Sequence, residues 1–252
     1  MNKLVIGDRI VKSFGEGEER RVVLDGVSVD IREGEFVAVM GPSGSGKSTL
    51  LHALSGMDRI DGGRVIFGGR ELSSASEKEL AEIRRAQMGF VFQQPTMLKN
   101  LNLLDNIILP AMRDNRRNAK NIVAKARKLM ARAGISGLEQ RDITQVSGGQ
   151  LQRAGICRAL INHPKIVLGD EPTGALNSKS SQEIMHLLAD INAEGTAVML
   201  VTHDAKVAAW AERILFMRDG QIVSELTLSR YDGTGMEDRV EHVARTMIEL
   251  DV

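Results

Sequence analysis

A glycine-rich segment is the first place where this sequence could do chemistry. Residues 41–49 read GPSGSGKST, directly after the apolar run Phe36–Met40. This spacing fits G-x-x-x-x-G-K-[ST], in which backbone N–H groups wrap a phosphate chain and the next helix directs its positive end at it. Lys47 would reach the β- and γ-phosphates, and the Ser48 hydroxyl would hold Mg²⁺. A flexible glycine turn is the alternative. The predicted nucleotide-binding residues of the loop are Gly41, Ser43, Gly44, Ser45, Gly46, Lys47, Ser48 and Thr49.

Two adjacent carboxylates follow another apolar run. The run Ile166–Leu168 leads through Gly169 into Asp170 and Glu171. In open α/β sheets, ligands bind at the carboxyl ends of the strands. We therefore expect Asp170 to bind Mg²⁺, directly or through water, and Glu171 to polarise an attacking water. A solvated acidic pair at the end of a strand is the alternative.

A second glycine-rich segment precedes a helical pattern. Val146–Gln150 reads VSGGQ and is followed by LQRAGICRAL. Ser147, Gly148 and Gly149 could expose N–H groups at the start of a helix, which would make a second anion site.

Composition and charge exclude several kinds of partner. The chain has 252 residues, enough for one large α/β domain or two small ones, and its formal net charge is zero, so no global field attracts nucleic acid. Six Phe, one Tyr and one Trp are too few for a base-stacking surface. We therefore expect no nucleic-acid partner. The single Cys157 cannot form an intrachain disulfide, which fits a reducing cytoplasm, and its apolar neighbours predict a small core residue.

The hydropathy of the chain argues against a membrane span. No stretch approaches the roughly 20 apolar residues that cross a bilayer. The N-terminal sequence MNKLVIGDRI carries charges where a signal peptide needs an apolar run. We expect a soluble protein that reaches a membrane only through a partner chain.

Strand-like and helix-like runs alternate along the chain and would position these motifs. Apolar runs predict strands at 4–6, 22–24, 27–31, 36–40, 65–67, 89–92, 166–168 and 197–201, and a terminal hairpin of 214–217 and 222–226. Helical spacing predicts helices at 76–85, 118–133, 180–193 and 205–213, and a helical stretch over 101–112. Residues 95–160 therefore look like a helical insert. Apolar residues from Met236 to Leu250 recur at steps of four and three, which predicts a helix that packs on the protein's own body or, alternatively, on a second copy.

With these segments in view, the chain resembles an ATP-binding cassette (ABC) ATPase, the motor subunit of membrane transporters. The resemblance runs from about residue 3 to about residue 226. It implies an α/β fold: a P-loop NTPase core with a parallel sheet, an N-terminal antiparallel β subdomain and an inserted helical subdomain. The implied divisions of the single domain are a β subdomain and core at 1–93, a helical subdomain at about 94–160, the remaining core at 161–226 and a C-terminal helical tail at 227–252.

The resemblance also assigns roles that the residues alone do not. Ser147, Gly148, Gly149 and Gln150 match the signature motif, which completes the ATP site of the opposite subunit in a head-to-tail dimer. Gln93 matches the Gln that senses Mg²⁺ and water, His203 the switch histidine that contacts the γ-phosphate, and Phe14 the aromatic that stacks on adenine. The alternatives are a surface amide for Gln93, a polar cap for His203 and an ordinary core aromatic for Phe14.

One position departs from the family pattern. Asn177 ends the segment Thr173–Asn177, where the family usually has Asp in a loop that crosses the dimer interface. Asn keeps the size and loses the charge, so we expect nucleotide binding to survive, whereas the hydrolytic rate and the communication between sites are in question.

The implied function is an ATPase, converting ATP and water to ADP and phosphate, that drives an integral membrane permease from the cytoplasmic face of the membrane. The segment EGEER and the phrase GDEPTGAL resemble the branch with macrolide-exporter, lipoprotein-releasing and bacitracin-resistance ATPases. LGDEPTGALNSKS and the tail most resemble the bacitracin-resistance group, which removes or senses antimicrobial peptides, often with a sensor histidine kinase. The grip for the permease is expected between Gln94 and Met112, with internal helix packing as the alternative use of its apolar residues.

Other functions remain open. A non-transport ABC protein would act on DNA or ribosomes, but would usually carry a second cassette, a long coiled coil or zinc modules. A regulatory nucleotide switch with weak hydrolysis is favoured by Asn177. A small-molecule kinase would share the phosphate loop but would have no use for VSGGQ.

Overall fold

The computed structural model describes residues 2–113 and 115–252; Met1 and Asp114, which the predicted domain ranges include, lie outside the described residues. The strands are β1 Lys3–Phe14, β2 Arg21–Arg32, β3 Phe36–Met40, β4 Gly62–Phe67, β5 Arg70–Glu71, β6 Met88–Phe92, β7 Ile166–Asp170, β8 Ala197–Val201, β9 Arg213–Arg218 and β10 Gln221–Thr227. The α-helices are α1 Lys47–Leu54, α2 Glu77–Gln87, α3 Leu103–Met112, α4 Ala119–Arg132, α5 Gly148–Leu160, α6 Ser178–Ala193, α7 Ala205–Ala208 and α8 Met236–Leu250.

The strands form two sheets, one antiparallel and one largely parallel. The antiparallel sheet has the order β2-β1-β4-β5, and the other has the order β10-β9-β3-β8-β7-β6. In the second sheet, only the β9–β10 pair is antiparallel among the described strands. The predicted α/β class with a parallel core is therefore confirmed.

The central strands of the parallel sheet are buried on both faces. All five residues of β3 are at most 3% exposed, as are all five residues of β8. Side chains alternate along a strand, so β3 serves two cores at once. Val37 and Val39 face a core shared with the antiparallel sheet and α1, and Phe36, Ala38 and Met40 face a core shared with the helices. These continuous apolar runs are the reason that the sequence predicts both strands.

Helices α3, α4 and α5, which follow β6 and precede β7 in the sequence, pack against one another. The start of α3 and the end of α4 carry residues that are favoured at helix termini. Asn102 caps α3 by accepting a hydrogen bond from Asp105 N, and α4 ends before Gly134, which has φ +67°. The tail forms α8, whose apolar stripe faces the protein's own core, with Val243 fully buried.

Structure and sequence expectation differ at several places, among them β1, which extends to Phe14 although only 4–6 was expected, and β5, which was not expected. The runs 22–24 and 27–31, expected as two strands, form the single strand β2, which passes through Gly26 at φ +68°. The helix expected over 205–213 ends at Ala208, so that prediction was wrong for its second half. Arg213 instead begins β9, and its Nε lies 2.7 Å from Glu35 Oε1 in a buried ion pair.

No helix among residues 2–113 and 115–252 combines the length and the apolar character that a bilayer crossing requires.

Candidate nucleotide-binding site

The loop of residues 41–49 connects β3 to α1 and packs so tightly that only glycine fits at two positions. A Cβ added at Gly41 would lie 2.2 Å from Met217 O. One added at Gly46, where φ is +100°, would lie 2.8 Å from Val23 O. Gly46 is also the N-cap of α1. The first N–H groups of a helix lack intrahelical partners, and at this end they carry the positive pole of its dipole. The loop is therefore built to receive an anion.

Lys47 lies at the base of this loop. Its Nζ donates hydrogen bonds of 2.8 Å to the carbonyl oxygens of Gly41 and Pro42. Burial lowers the pKa of the Lys47 ammonium, and the carboxylates of Glu171 and Asp170 act in the opposite direction. Nearby, Ser45 Oγ is buried and has no hydrogen-bond partner among the described residues. An ammonium and an unsatisfied hydroxyl in one loop fit the binding of a phosphate group.

Ser48 and Asp170 form the pair that could hold a magnesium ion. Ser48 Oγ donates a hydrogen bond of 2.9 Å to Asp170 Oδ1, which joins the first turn of α1 to the end of β7. Mg²⁺ takes oxygen ligands and is usually bound through one or two carboxylates together with substrate phosphates and water. The hydroxyl of Ser48 and the carboxylate of Asp170 fit this ligand preference of Mg²⁺. Within the described residues, no group of three or more His, Cys, Asp or Glu residues could hold a metal by itself.

Glu171 follows β7 directly and reaches the histidine that follows β8. Glu171 Oε1 lies 2.7 Å from His203 Nδ1. The Glu171 backbone has φ +49°, a left-handed conformation that is uncommon outside glycine, and its N–H donates to Val201 O at the end of β8. Such strained positions concentrate at functional sites. Because β7 and β8 are neighbouring parallel strands, their carboxyl ends place the two side chains side by side.

One cavity of about 690 Å³ joins most of the predicted site. Its lining residues are Phe14, Val23, Ser43, Gly44, Gly46, Lys47, Ser48, Thr49, Glu171, Val201 and His203. Phe14 is 47% exposed at the rim, so the alternative of an ordinary core aromatic does not describe it. Gly41, Ser45 and Asp170 support the cavity from behind its lining.

Three contributors to this site were missed by reasoning from the sequence. Val23 lines the cavity from β2, and no motif marks it. Lys12 Nζ lies 5.0 Å from the centre of the Phe14 ring, and the two-residue spacing along a strand could have indicated a shared face. Gln152 is 1% exposed, and its Nε2 donates 2.8 Å hydrogen bonds to Phe92 O and Pro172 O. It thereby ties α5 to the residues that flank Gln93 and Glu171.

Gln93 and the signature segment lie outside this cavity. Gln93 is exposed, and its Nε2 would be 2.9 Å from a Cβ added at Gly174. Ser147 caps α5: its Oγ accepts a hydrogen bond from Gln150 N, and Gln150 Oε1 accepts one from Ser147 N. A Cβ added at Gly149 would lie 2.9 Å from Ser180 Oγ, so this segment packs against α6. The chain alone therefore does not bring Ser147–Gln150 to the Lys47 loop.

Asn177, the departure from the family pattern, is the N-cap of α6. Its Oδ1 accepts a hydrogen bond of 2.9 Å from Ser180 N. Asn and Asp cap helices about equally well. The local structure that an Asp would support is therefore present with Asn.

The comparison with protein families agrees with these motifs. The family model described as ABC transporter matches residues 24–174, which include the loop and both residues of the Asp170–Glu171 pair. The macrolide export ATP-binding/permease protein MacB of Pasteurella multocida is 43% identical over 216 residues, or 86% of this chain. An uncharacterized ABC transporter ATP-binding protein of Methanocaldococcus jannaschii, MJ1508, is 42% identical over 220 residues, or 87% of this chain and 98% of its own length. The chain spans about a third of the length of the MacB relative.

The solved structures agree on the fold. The ATP-binding cassette MJ0796, in a dimeric post-hydrolysis state bound to ADP and Pi, is 38% identical with a TM-score of 0.82, covering 90% of this chain and 100% of its own. Another dimeric structure of MJ0796, a bacterial ABC transporter cassette, superposes with a TM-score of 0.84 at the same identity and coverage. The resemblance inferred from the motifs is thereby confirmed: this chain is an ATP-binding cassette and belongs to the ABC transporter family.

Proposed function

We propose that this chain is the ATP-hydrolysing subunit of a membrane transporter. The observation that carries the proposal is the cavity of about 690 Å³ that joins the Lys47 loop, Glu171 and His203. A phosphate-binding loop, a carboxylate and an imidazole that face one space can bind the phosphates, orient a water and stabilise charge, which suits the transfer of a phosphoryl group to water. Catalysis of this kind depends mostly on positioning and on charge stabilisation.

Each residue then has a part in the reaction. The loop N–H groups and Lys47 would bind the phosphates of ATP, and Phe14 would stack on the adenine. Ser48 and Asp170 would hold Mg²⁺, with Gln93 as the residue that would sense the ion and the water. When bound, Mg²⁺ neutralises charge that develops on the phosphate oxygens. Glu171 accepts a hydrogen bond from the attacking water and orients it toward the terminal phosphorus. His203, whose Nδ1 lies 2.7 Å from Glu171 Oε1, would contact the γ-phosphate.

A second copy of the chain completes each site in this proposal. The segment Ser147–Gln150 starts α5 away from the cavity, with glycine N–H groups at the helix end that favours anions. The relative MJ0796 is dimeric in both solved structures. Two copies arranged head to tail would therefore enclose two ATP molecules, each between one copy's Lys47 loop and the other copy's Ser147 segment.

The permease would bind in a groove beside β6. The groove, of about 370 Å³, includes Thr96, Leu109 and Pro110 from the predicted 94–112 surface and extends to Arg84 on α2 and Arg158 on α5. Leu109 is 46% exposed there, whereas Met97 is buried and serves the core. Attachment at this groove would hold the chain at the cytoplasmic face of the membrane.

The cargo is the finer part of the proposal. Residues 168–180 and the tail support removal or sensing of cell-wall-directed antimicrobial peptides, with a sensor histidine kinase as a further partner. Two relatives are named for macrolide export and, as a probable assignment, for syringafactin export, which supports a macrolide-type export ATPase as the alternative. A lipoprotein-releasing ATPase is a further alternative within the branch.

Glu171→Gln tests the proposed reaction, because it keeps the size of the side chain and removes its basicity. We expect turnover to fall by at least about 100-fold, the lower range for general-base help. ATP affinity, measured by calorimetry, should be retained, and light scattering should show a stable dimer with ATP and Mg²⁺. Glu249→Gln, exposed on α8, is the matched control. Normal turnover in Glu171→Gln would reassign the base.

A nucleotide-dependent switch with weak hydrolysis is the candidate from another class, and Asn177 is the observation that favours it. Steady-state ATP hydrolysis measured with the cognate permease in membranes separates the two. Binding and dimerisation without sustained phosphate release would favour the switch.

A further inference from the structure

The C-terminal helix α8 covers the short helix that follows His203. α8 packs directly against α7. Its residues in contact with the core are Met236, Val240, Val243, Met247 and Leu250. α8 lies beyond residues 24–174, which the family model matches, and the reaction proposed above assigns it no role.

Arg239 is the polar centre of this contact. Its guanidinium donates hydrogen bonds to three carbonyl oxygens: Nε to Ala209 O at 2.7 Å, Nη2 to Ala211 O at 2.8 Å and Nη1 to Ser229 O at 2.6 Å. Two of these carbonyls belong to the turn that ends α7. Carbonyls at the end of a helix need partners from outside it, and a cation is favourable there. Arg239, which lies on α8, supplies these carbonyls with hydrogen-bond donors and with a positive charge.

Helix α7, whose end Arg239 contacts, is too short to be stable on its own. α7 contains four residues, whereas isolated helices need roughly 12–15 to be even marginally stable in water. Its N-cap is Asp204, which follows His203 directly and accepts a hydrogen bond of 2.8 Å from Lys206 N. The His203 side chain is 72% exposed, so apart from its contact with Glu171 its position depends on the backbone that carries it. β8 fixes that backbone on one side and α7 fixes it on the other.

An aromatic stack reinforces the same contact. Trp210, in the turn after α7, meets the His186 ring of α6 at 4.7 Å and the Tyr231 ring at 4.8 Å between ring centres. The Arg239 guanidinium lies 5.5 Å from the Tyr231 ring centre, within the range of a cation–π contact. Trp210 is 7% exposed and is the only tryptophan in the sequence, so its fluorescence reports on this contact alone.

We propose that Arg239 is a positioning residue for ATP hydrolysis: by pinning α7 and the turn after it, Arg239 on α8 fixes His203 relative to Glu171. This inference rests on the function proposed above. It gives Arg239 a role in placing the reacting groups without any contact with the substrate. Small displacements of a reacting group have large effects on rate, so losing the contact should slow the chemical step.

Arg239→Ala removes all three hydrogen bonds and leaves the Lys47 loop intact. We expect kcat for ATP hydrolysis to fall about tenfold, a modest share of what misplacement can cost, while the KM for ATP stays unchanged. Trp210 emission should shift to longer wavelength in the native protein. Arg245→Ala, exposed on the same helix, removes the same charge and should change neither quantity. Arg239→Lys keeps the charge without the planar fork that reaches several carbonyls, so we expect an intermediate kcat.

The outcomes separate this inference from the function on which it rests. A wild-type protein that hydrolyses no ATP, with or without a permease, overturns the proposed function and the positioning role together. A wild type that hydrolyses ATP, with Arg239→Ala matching Arg245→Ala in kcat, overturns only the positioning role. A rise in KM with kcat unchanged also overturns it. Should Arg239→Ala fail to fold, Arg239→Lys decides: a red-shifted Trp210 emission with wild-type kcat contradicts the proposal.

Discussion

Glu171 Oε1 and His203 Nδ1 lie 2.7 Å apart at the ends of the neighbouring strands β7 and β8. An ionised carboxylate only accepts hydrogen bonds, so this contact requires that Nδ1 carry the hydrogen. The other ring nitrogen, Nε2, is then directed by the carboxylate, as in other sites where a carboxylate orients an imidazole. The hydrogen bond links Glu171, which would orient the water, to His203, which would contact the terminal phosphate.

His203→Ala should slow hydrolysis and spare nucleotide binding. The imidazole would stabilise charge only as the phosphoryl group leaves, and removal of one such donor typically costs roughly 100-fold in rate or more. Phosphate release gives kcat, and calorimetry gives ATP affinity. His242→Ala, exposed on α8, is the control. A His203→Ala protein with wild-type kcat would show that His203 only caps the strand.

Lys47→Ala should abolish high-affinity nucleotide binding. The substitution removes the ammonium that is held at 2.8 Å from two loop carbonyls and that the phosphates would meet. Charge-assisted contacts to phosphate are among the strongest polar interactions in proteins. Titration calorimetry with ATP and Mg²⁺ measures the loss, and Lys78→Ala, exposed on α2, serves as the matched variant. Unchanged ATP affinity would contradict the assignment of the loop.

Phe14→Ala should weaken ATP binding moderately. An aromatic stacking contact adds about 0.5–1.5 kcal/mol beyond the area that it buries, which corresponds to roughly twofold to twelvefold in affinity. Phe14→Tyr should bind like the wild type because it keeps the ring face. Val22→Ala, at a neighbouring exposed strand position, controls for loss of apolar surface. Equal affinities for Phe14→Ala and the wild type would remove Phe14 from the site.

The sequence predicted the loop and the carboxylate pair because their geometry is local. The loop residues are consecutive, Gly46 takes φ +100° as the N-cap of α1, and the run before Asp170 is a strand buried on both faces. Such features leave a signature in a few consecutive residues. Their juxtaposition follows from the rule that ligands sit at the carboxyl ends of parallel strands.

Other parts of the site depend on contacts that are distant in sequence. Val23 reaches the cavity only because β2 passes beside Gly46. The end of α7 was misplaced because apolar periodicity continues through Trp210, whereas Arg239, thirty residues after Ala209, supplies the bonds that shape the turn. Neither contact leaves a local pattern, and tertiary context overrides helical periodicity there.

Asn177→Asp and Asn177→Ala should move stability in opposite directions. Removing the cap bond to Ser180 N should lower the free energy of unfolding by about 1 kcal/mol. An Asp would keep the bond and place a negative charge at the start of α6, which is favourable by about 0.3–1 kcal/mol. Urea denaturation of the three proteins measures both changes. Equal stability of Asn177→Ala and the wild type would show that the cap contributes nothing.

Cys157 should resist alkylation at alkaline pH as long as the protein is folded. The side chain is 1% exposed, and burial raises the pKa of its thiol to about 12 because the thiolate is poorly solvated there. Only the thiolate reacts, so raising the pH from 7.5 to 9.5 should accelerate iodoacetamide labelling of the urea-unfolded chain and leave the folded chain unlabelled. Labelling of the folded protein that rises over this range, as for an ordinary thiol, would contradict the assignment of Cys157 to the core.

The loop that would take the phosphates is held in shape by the chain itself. Lys47 binds two of its carbonyls, Ser45 N donates to Pro42 O, and Gly220 N from the β9–β10 turn donates to Ser45 O. The conformational entropy of this segment is therefore lost on folding. A phosphate ligand would bind a loop that is already ordered, so binding would not include the cost of ordering it. Association should consequently not be slowed by ordering of the loop, a kinetic property set by hydrogen bonds within the protein.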